Sequence, residues 1–233
     1  MKILILFLIF IGGVGNYFAV RKKPILERKK WWTKYFVYIL WIGVVILGIA
    51  YIFLFYYWMA WVVCIIGTIE IMRYTNFQLI KSYVILIIWG GLSYYYLDYS
   101  LSNGAQTCVS LFLLICIFDA FSQITGQLFG KYKFIKSISP NKTLEGYIGG
   151  MVITFILCLF VFPNLWELQV AWGQVAIIVT IGAAFGDILS SMLKRYLGIK
   201  DFGSYFPGQG GVLDRYDSHI FTGVLYFCID KIV

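Results

Sequence analysis

Apolar residues run along this chain in blocks of membrane-spanning length, separated by short segments that hold most of the charge. The first block, Ile3 to Val20, lacks a convincing small-residue cleavage site and is followed by further apolar blocks, so it is expected to be a retained helix rather than a signal peptide. Tyr35 to Met72 is a nearly unbroken run of 38 residues. At about 1.5 Å per residue this is too long for one crossing of a ~30 Å hydrocarbon layer, and it predicts two spans with a tight turn near Phe55 to Trp58. Further spans are expected at Tyr83 to Asp98, Ala105 to Gly126, Tyr147 to Phe162, Val170 to Met192 and His219 to Ile229. The last is short, and tilting or local thinning of the bilayer would accommodate it. The pattern predicts an all-α polytopic membrane protein with about eight transmembrane helices.

Composition agrees with this pattern. Of the 233 residues 61% are hydrophobic, 20% aromatic and only 13% charged, which excludes a water-soluble core. In an eight-span arrangement every lysine and arginine except Lys2 and Lys231 falls on one side, in the segments 21–34, 73–81, 131–142 and 194–215. The positive-inside rule makes that side cytoplasmic and puts both termini outside. The net charge of +8 is thereby explained by topology and anionic headgroups, with no need for nucleic acid. The five cysteines lie in apolar segments without metal-ligand spacing and read as packing residues, and the lone His219 cannot anchor a metal by itself. Pairs such as Gly126/Gly130 and Gly182/Gly186 read as close helix packing.

Polar residues gather in two places. The first runs from Asp119, with Ser122 one turn on, through Ser139, Pro140, Asn141, Lys142, Thr143, Leu144, Glu145 and Gly146. A carboxylate inside an apolar helix needs a polar cavity or a partner. Ser, Asn or Thr before a helix can cap free amides, but a lysine in the first turn opposes the helix dipole and suits phosphate binding better. The second is Ser191 to Ser218, 28 residues with four cations, three carboxylates and five glycines, directly after Asp187. The turn Gly208-Gln209-Gly210-Gly211 can bring Asp214 back toward Asp187, where the two carboxylates would repel unless a cation such as Mg2+ stood between them. Lys194, Arg195, Lys200 and Arg215 would then face a polyphosphate.

Ser191, Lys194, Arg195, Lys200, Asp201, Gly203, Pro207, Gly208, Gly210, Gly211, Asp214, Arg215, Asp217 and Ser218 fall at spacings that resemble the signature of the phosphatidate cytidylyltransferases, or CDP-diacylglycerol synthases. The upstream block, Asp119, Gly126, Phe129-Gly130-Lys131 and Ser139 to Gly146, and the pair Gly186-Asp187 are similar to that family too, so the resemblance covers about residues 115 to 220.

The resemblance implies transfer of CMP from CTP to phosphatidate, giving CDP-diacylglycerol and pyrophosphate. It assigns catalytic roles to Asp187, Asp214, Lys194, Arg215 and Asp217. Mg2+ is expected on Asp187 and Asp214 in a two-cation site that a monovalent cation such as K+ can share. Substrate binding is expected at Asp119, Ser122, Ser139, Asn141, Lys142, Thr143, Glu145, Gly146, Arg195, Lys200, Asp201, Gly208, Gln209, Gly210 and Gly211. The resemblance divides the chain into N-terminal transmembrane helices, 1–104, and a catalytic transmembrane region, 105–233. It is compatible with a homodimer, and the short chain without a transit peptide fits a bacterial plasma membrane, with the site facing the cytoplasm. The chain departs from the family at Gln209, where a histidine is usual, at Ser190, usually Glu, and at Phe202, usually small and polar. Gln209 can hydrogen-bond but cannot carry a proton. Two alternatives stay open: a CTP-dependent polyprenol or dolichol kinase, which would release CDP, and an inactive lipid-binding relative.

Overall fold

The computed structural model describes residues 2–21, 24–52, 54–75, 79–133, 135, 138–140, 142–166, 168, 170–206 and 210–232. These form α1 (Lys2–Val20), α2 (Ile25–Tyr51), α3 (Phe55–Met72), α4 (Ile80–Ser102), α5 (Ala105–Phe129), α6 (Leu144–Phe160), α7 (Trp172–Tyr196) and α8 (Leu213–Asp230). One 3-10 turn, Phe162–Asn164, follows α6. Among the described residues there is no strand, only an isolated bridge between Phe206 and Gly210.

Five segments, Ile25–Tyr51, Phe55–Met72, Ala105–Phe129, Leu144–Asn164 and Trp172–Tyr196, are long and apolar enough to cross a membrane. The chain is thus an all-α polytopic membrane protein. The weaker apolar character of α8 has a local cause: its first two turns carry Asp214, Arg215, Asp217 and His219.

The long apolar run divides at 52–54, just ahead of the expected 55–58. Leu54 takes a left-handed conformation (φ 53°), and the ring of Phe55 lies so close to Gly48 that any side chain there would overlap it. That contact lets α2 and α3 turn back on each other immediately. A second difference concerns the first basic segment. Arg28, Lys29, Lys30 and Lys34 are not in a loop but on the opening turns of α2, which starts at Ile25 behind Pro24. Proline ahead of a helix presets φ, and Glu27 in the first turn complements the dipole.

α5 is the central helix. Every residue from Cys108 to Phe118 is buried, as expected of a helix that is apolar all round and packed on all sides. It packs against α6, whose Gly146, Gly149 and Gly150 sit on Ser122, Thr125 and Phe118 with no room for a Cβ. α7 meets α8 in the same way, Gly182 on Thr222 and Gly186 on Phe221 and the carbonyl of Asp217. Small residues at these crossings let backbones approach closely enough for dispersion to hold the helices together. A second core of tyrosines joins α3, α4 and α8: Tyr56, Tyr96 and Tyr99 pack edge to face or stacked, and the Tyr96 hydroxyl donates to Tyr56 at 3.3 Å. Four of the five cysteines are buried in this packing, while Cys228 is exposed.

The described parts of the connections 73–79, 130–143 and 197–212 meet at one end of the bundle. Arg195 Nε donates to the carbonyl of Ile138 at 3.0 Å, and Glu70 on α3 accepts from the amides of Val212 and Leu213. Both polar sequence blocks are thereby brought to the same end.

Candidate active site

The start of α6 forms one wall. Thr143 is extended (φ −120°, ψ 151°) and its hydroxyl accepts the Gly146 amide at 3.2 Å, so it is the N-cap. Glu145 accepts the Tyr132 amide at 3.1 and 3.2 Å, and Leu144 donates to the Tyr132 carbonyl at 2.9 Å. Thr143 and Glu145 therefore fold segment 130–133 back onto the helix, a structural task that their reading as substrate ligands omits. Lys142 precedes the cap and so lies outside the first turn; its ammonium pairs with the Asp187 carboxylate across the α6–α7 interface. The Ser139 carbonyl accepts the Lys142 amide at 3.3 Å, holding this approach to α6 in a tight turn. Asn141 lies outside the described residues.

Asp119 from α5, Asp187 from α7 and Asp217 from α8 come near enough to repel one another, with Arg215 and Lys142 acting on Asp119 and Lys194 on Asp217. Ser190 faces Asp217, and the amide of Ser218 donates to Asp217 Oδ1 at 2.8 Å. The Tyr147 hydroxyl lies against Asp187. Ser122 on α5 presses against Gly150 of α6, its buried hydroxyl oxygen without a hydrogen-bond partner.

Asp214 is held more tightly. Its Oδ2 accepts the amides of Phe202 and Gly211, both at 2.8 Å, and its Oδ1 receives Lys194 Nζ at 2.7 Å. The side chain is 4% exposed. A carboxylate with two backbone donors and an ammonium is strongly preorganised. Gly210 (φ 90°) makes the turn that brings it there, and a Cβ at 210 would lie 2.6 Å from Asp214 Oδ2.

Other expected residues stand apart from this cluster. Arg195 is engaged with the carbonyls of Ile138 and Ile199, both at 3.0 Å, and closes the end of α7. Lys200 and Asp201 line a separate polar cleft of about 510 Å3 together with Arg73, Tyr74, Ser204 and Tyr205. Pro207, Gly208 and Gln209 lie outside the described residues. Phe202 is fully buried, and Lys194 Nζ sits 5.6 Å from its ring centroid. The aromatic residue thus lines the Asp214 pocket, where cation–π attraction helps to orient the lysine. His219 is buried and stacks on Phe112 at 4.9 Å.

The motif-based reading omits Glu70, Arg73 and Tyr147. Glu70 had a signal of its own: it is the one carboxylate within the apolar run 35–72, and an ionisable residue in such a run needs a partner. Its partner is backbone, which no residue pattern reveals.

Carboxylates, hydroxyls and cations gathered at one end of a helix bundle form a donor set suited to a hard cation and to phosphate. Among the described residues no three carboxylate, histidine or cysteine side chains converge as a ready-made metal cage. That is the usual circumstance for Mg2+, which takes one or two carboxylates and completes its shell with substrate oxygens and water. Asp187 and Asp214 each carry a lysine ammonium, a stand-in positive charge at the position a metal would neutralise.

Residues 1–233 match the family model described as Cytidylyltransferase family. The chain is 37% identical over 142 residues to phosphatidate cytidylyltransferase of Staphylococcus saprophyticus, 36% to that of Staphylococcus haemolyticus and 33% to that of Staphylococcus aureus. Each alignment covers 58% of this chain and 53% of the relative, so the chain spans about half the length of the curated relatives it matches. With a match that runs its full length, the chain belongs to the cytidylyltransferase family.

Proposed function

We propose that this protein transfers CMP from CTP to phosphatidate, forming CDP-diacylglycerol and pyrophosphate, within a bacterial plasma membrane and from its cytoplasmic side. The observation that carries the reading is the pairing of Lys142 with Asp187 and of Lys194 with Asp214 at the end of the bundle where Asp119, Asp217 and Arg215 also meet. Carboxylates and ammonium groups at this density suit a reaction whose substrates are polyanions and whose transition state spreads negative charge.

A phosphate oxygen of the lipid attacks the α-phosphorus of CTP in line; the new P–O bond forms as the bond to the β-phosphate bridging oxygen breaks, and pyrophosphate leaves with the electron pair. The lipid phosphomonoester is largely ionised near neutral pH, since the second pKa of such groups is about 6, so no residue has to act as base. Asp187 and Asp214 would hold Mg2+, which when bound acts as a Lewis acid toward the phosphate oxygens. Lys142 and Lys194 would then turn their ammonium groups to the phosphates, with Arg215 beside them. The positive end of the α6 dipole favours an anion near Lys142. The apolar faces of the helices keep the acyl chains in the bilayer while the headgroup reaches the polar end. Residues 105–233 carry this machinery, with Glu70 and Arg73 added from the N-terminal helices.

Purified protein in detergent, given CTP, Mg2+ and phosphatidate, tests the reading. Stoichiometric CDP-diacylglycerol and pyrophosphate are expected. Folded protein that makes neither overturns it, and release of CDP in their place reassigns the chain to γ-phosphate transfer.

A further inference from the structure

We infer that Glu70, on α3 and outside the signature segment, is a positioning residue for the proposed CMP transfer: it caps α8 in trans and so fixes Asp214. α8 begins at Leu213 with Val212 before it, and no side chain of its own caps it. The first amides of a helix need acceptors when they are buried. Glu70 supplies them from 142 residues away: Oε1 accepts the Val212 amide at 2.9 Å and Oε2 the Leu213 amide at 2.8 Å. Its side chain is completely buried.

Asp214 follows directly, and its Oδ2 accepts the Gly211 amide. Three consecutive amides, 211 to 213, therefore end on two carboxylates, one of them a proposed metal ligand. The glycines complete the lock. A Cβ at Gly203 would lie 2.8 Å from Glu70 Oε1, and one at Gly211 would overlap that oxygen. These two glycines are therefore required by the carboxylate that passes between them. Arg73, one turn beyond Glu70, lines the polar cleft with Lys200 and Asp201, so the same anchor sets the spacing of that cleft.

The inference rests on the proposed reaction for its kinetic part, and the test keeps the two separable. In Glu70→Gln one acceptor oxygen becomes an NH2 group facing an amide donor, with little change of volume. Backbone hydrogen exchange is followed in the full-length protein in detergent, alongside turnover of CTP and phosphatidate. Exchange across 211–216 is expected to quicken by about tenfold or more, while the α5 and α6 segments keep wild-type protection. Turnover should fall on the order of 10- to 100-fold, the usual effect of losing a partner that orients a ligand, with KM for CTP changed less than about threefold. Wild-type exchange at 211–216, or faster exchange with wild-type kcat, overturns the inference. Glu70→Asp keeps the charge but is one methylene shorter and cannot reach both amides; it is read in the same way if Glu70→Gln does not yield folded protein. Should the wild type itself lack turnover, the function fails on that result, and the exchange data still decide whether Glu70 holds α8.

Discussion

Lys194 Nζ lies 2.7 Å from Asp214 Oδ1 while the other Asp214 oxygen accepts two backbone amides, so one carboxylate ties α7, the 197–212 connection and α8 together. The two oxygens have different tasks. Oδ2 is committed to backbone amides, whereas Oδ1 faces the Lys194 ammonium.

Asp214→Asn should therefore separate the two tasks. The amide oxygen can still accept from Phe202 and Gly211, while the charge that faces Lys194 is lost. The protein is expected to fold and its CMP transfer to drop by at least about 100-fold, the scale of removing one preorganised electrostatic contact. Asp214→Ala leaves two buried amides without acceptors, at about 1–3 kcal/mol each, and should lower the unfolding midpoint as well. Activity and thermal unfolding measured on both variants check the distinction. Equal stability losses in the two would contradict the division of labour.

Lys142 pairs with Asp187 although it stands ahead of the α6 cap, where it serves no capping purpose. Lys142→Met is expected to raise KM for CTP by about tenfold, because a phosphate contact is worth about one charge-assisted hydrogen bond. Stability should change little, as the pair is partly exposed. Steady-state kinetics with varied CTP reads this directly. An unchanged KM would remove Lys142 from the substrate site.

Much of this arrangement was legible in the chain. Apolar block lengths anticipated the eight α-helices seen among the described residues, and the cation pattern matched the end where the described parts of 130–143 and 197–212 meet, because hydrocarbon thickness and charge desolvation act on sequence directly. The small-residue pairs announced the α5–α6 and α7–α8 contacts. The turn after Tyr51 was misplaced because its cause, the fit of Phe55 on Gly48, is a tertiary contact. The backbone partners of Glu145 and Arg195 were not legible, because a charged side chain reads alike whether it serves a phosphate or a backbone group. Here Glu145 takes the Tyr132 amide and Arg195 two carbonyls. Glu70 was hidden for the converse reason, its partners being amides far along the chain.

Helix crossings at glycine make a stability prediction independent of catalysis. A Cβ at Gly182 would sit 2.7 Å from the Cα of Thr222, which is backbone and cannot swing aside. Gly182→Ala must push α7 and α8 apart, at a cost of about 1–3 kcal/mol for overpacking. By contrast Gly90 and Gly91 on α4 meet nothing within 4 Å, so Gly90→Ala should be neutral or stabilising through the higher helix propensity of alanine. Thermal unfolding of the two variants in one detergent is the measurement. A Gly182→Ala protein as stable as the wild type would show that these helices are not packed as described.

Metal dependence can be read without turnover. If Asp187 and Asp214 take Mg2+, binding must overcome the lysines that already neutralise them, so affinity for the metal alone should be weak and should rise when CTP brings further oxygens. Mg2+ with CTP, each at about 100 times its dissociation constant, should stabilise the fold by about 2.7 kcal/mol per independent site, visible as a raised unfolding temperature. Mg2+ alone at the same concentration should give a clearly smaller shift, and Asp187→Asn should lose most of the combined effect. EDTA should abolish CMP transfer, and excess Mg2+ should restore it. A full shift with Mg2+ alone would mean a preformed cage, contrary to the lysine-paired carboxylates. No shift under any condition, with transfer insensitive to EDTA, would leave the phosphates to Lys142, Lys194 and Arg215 alone.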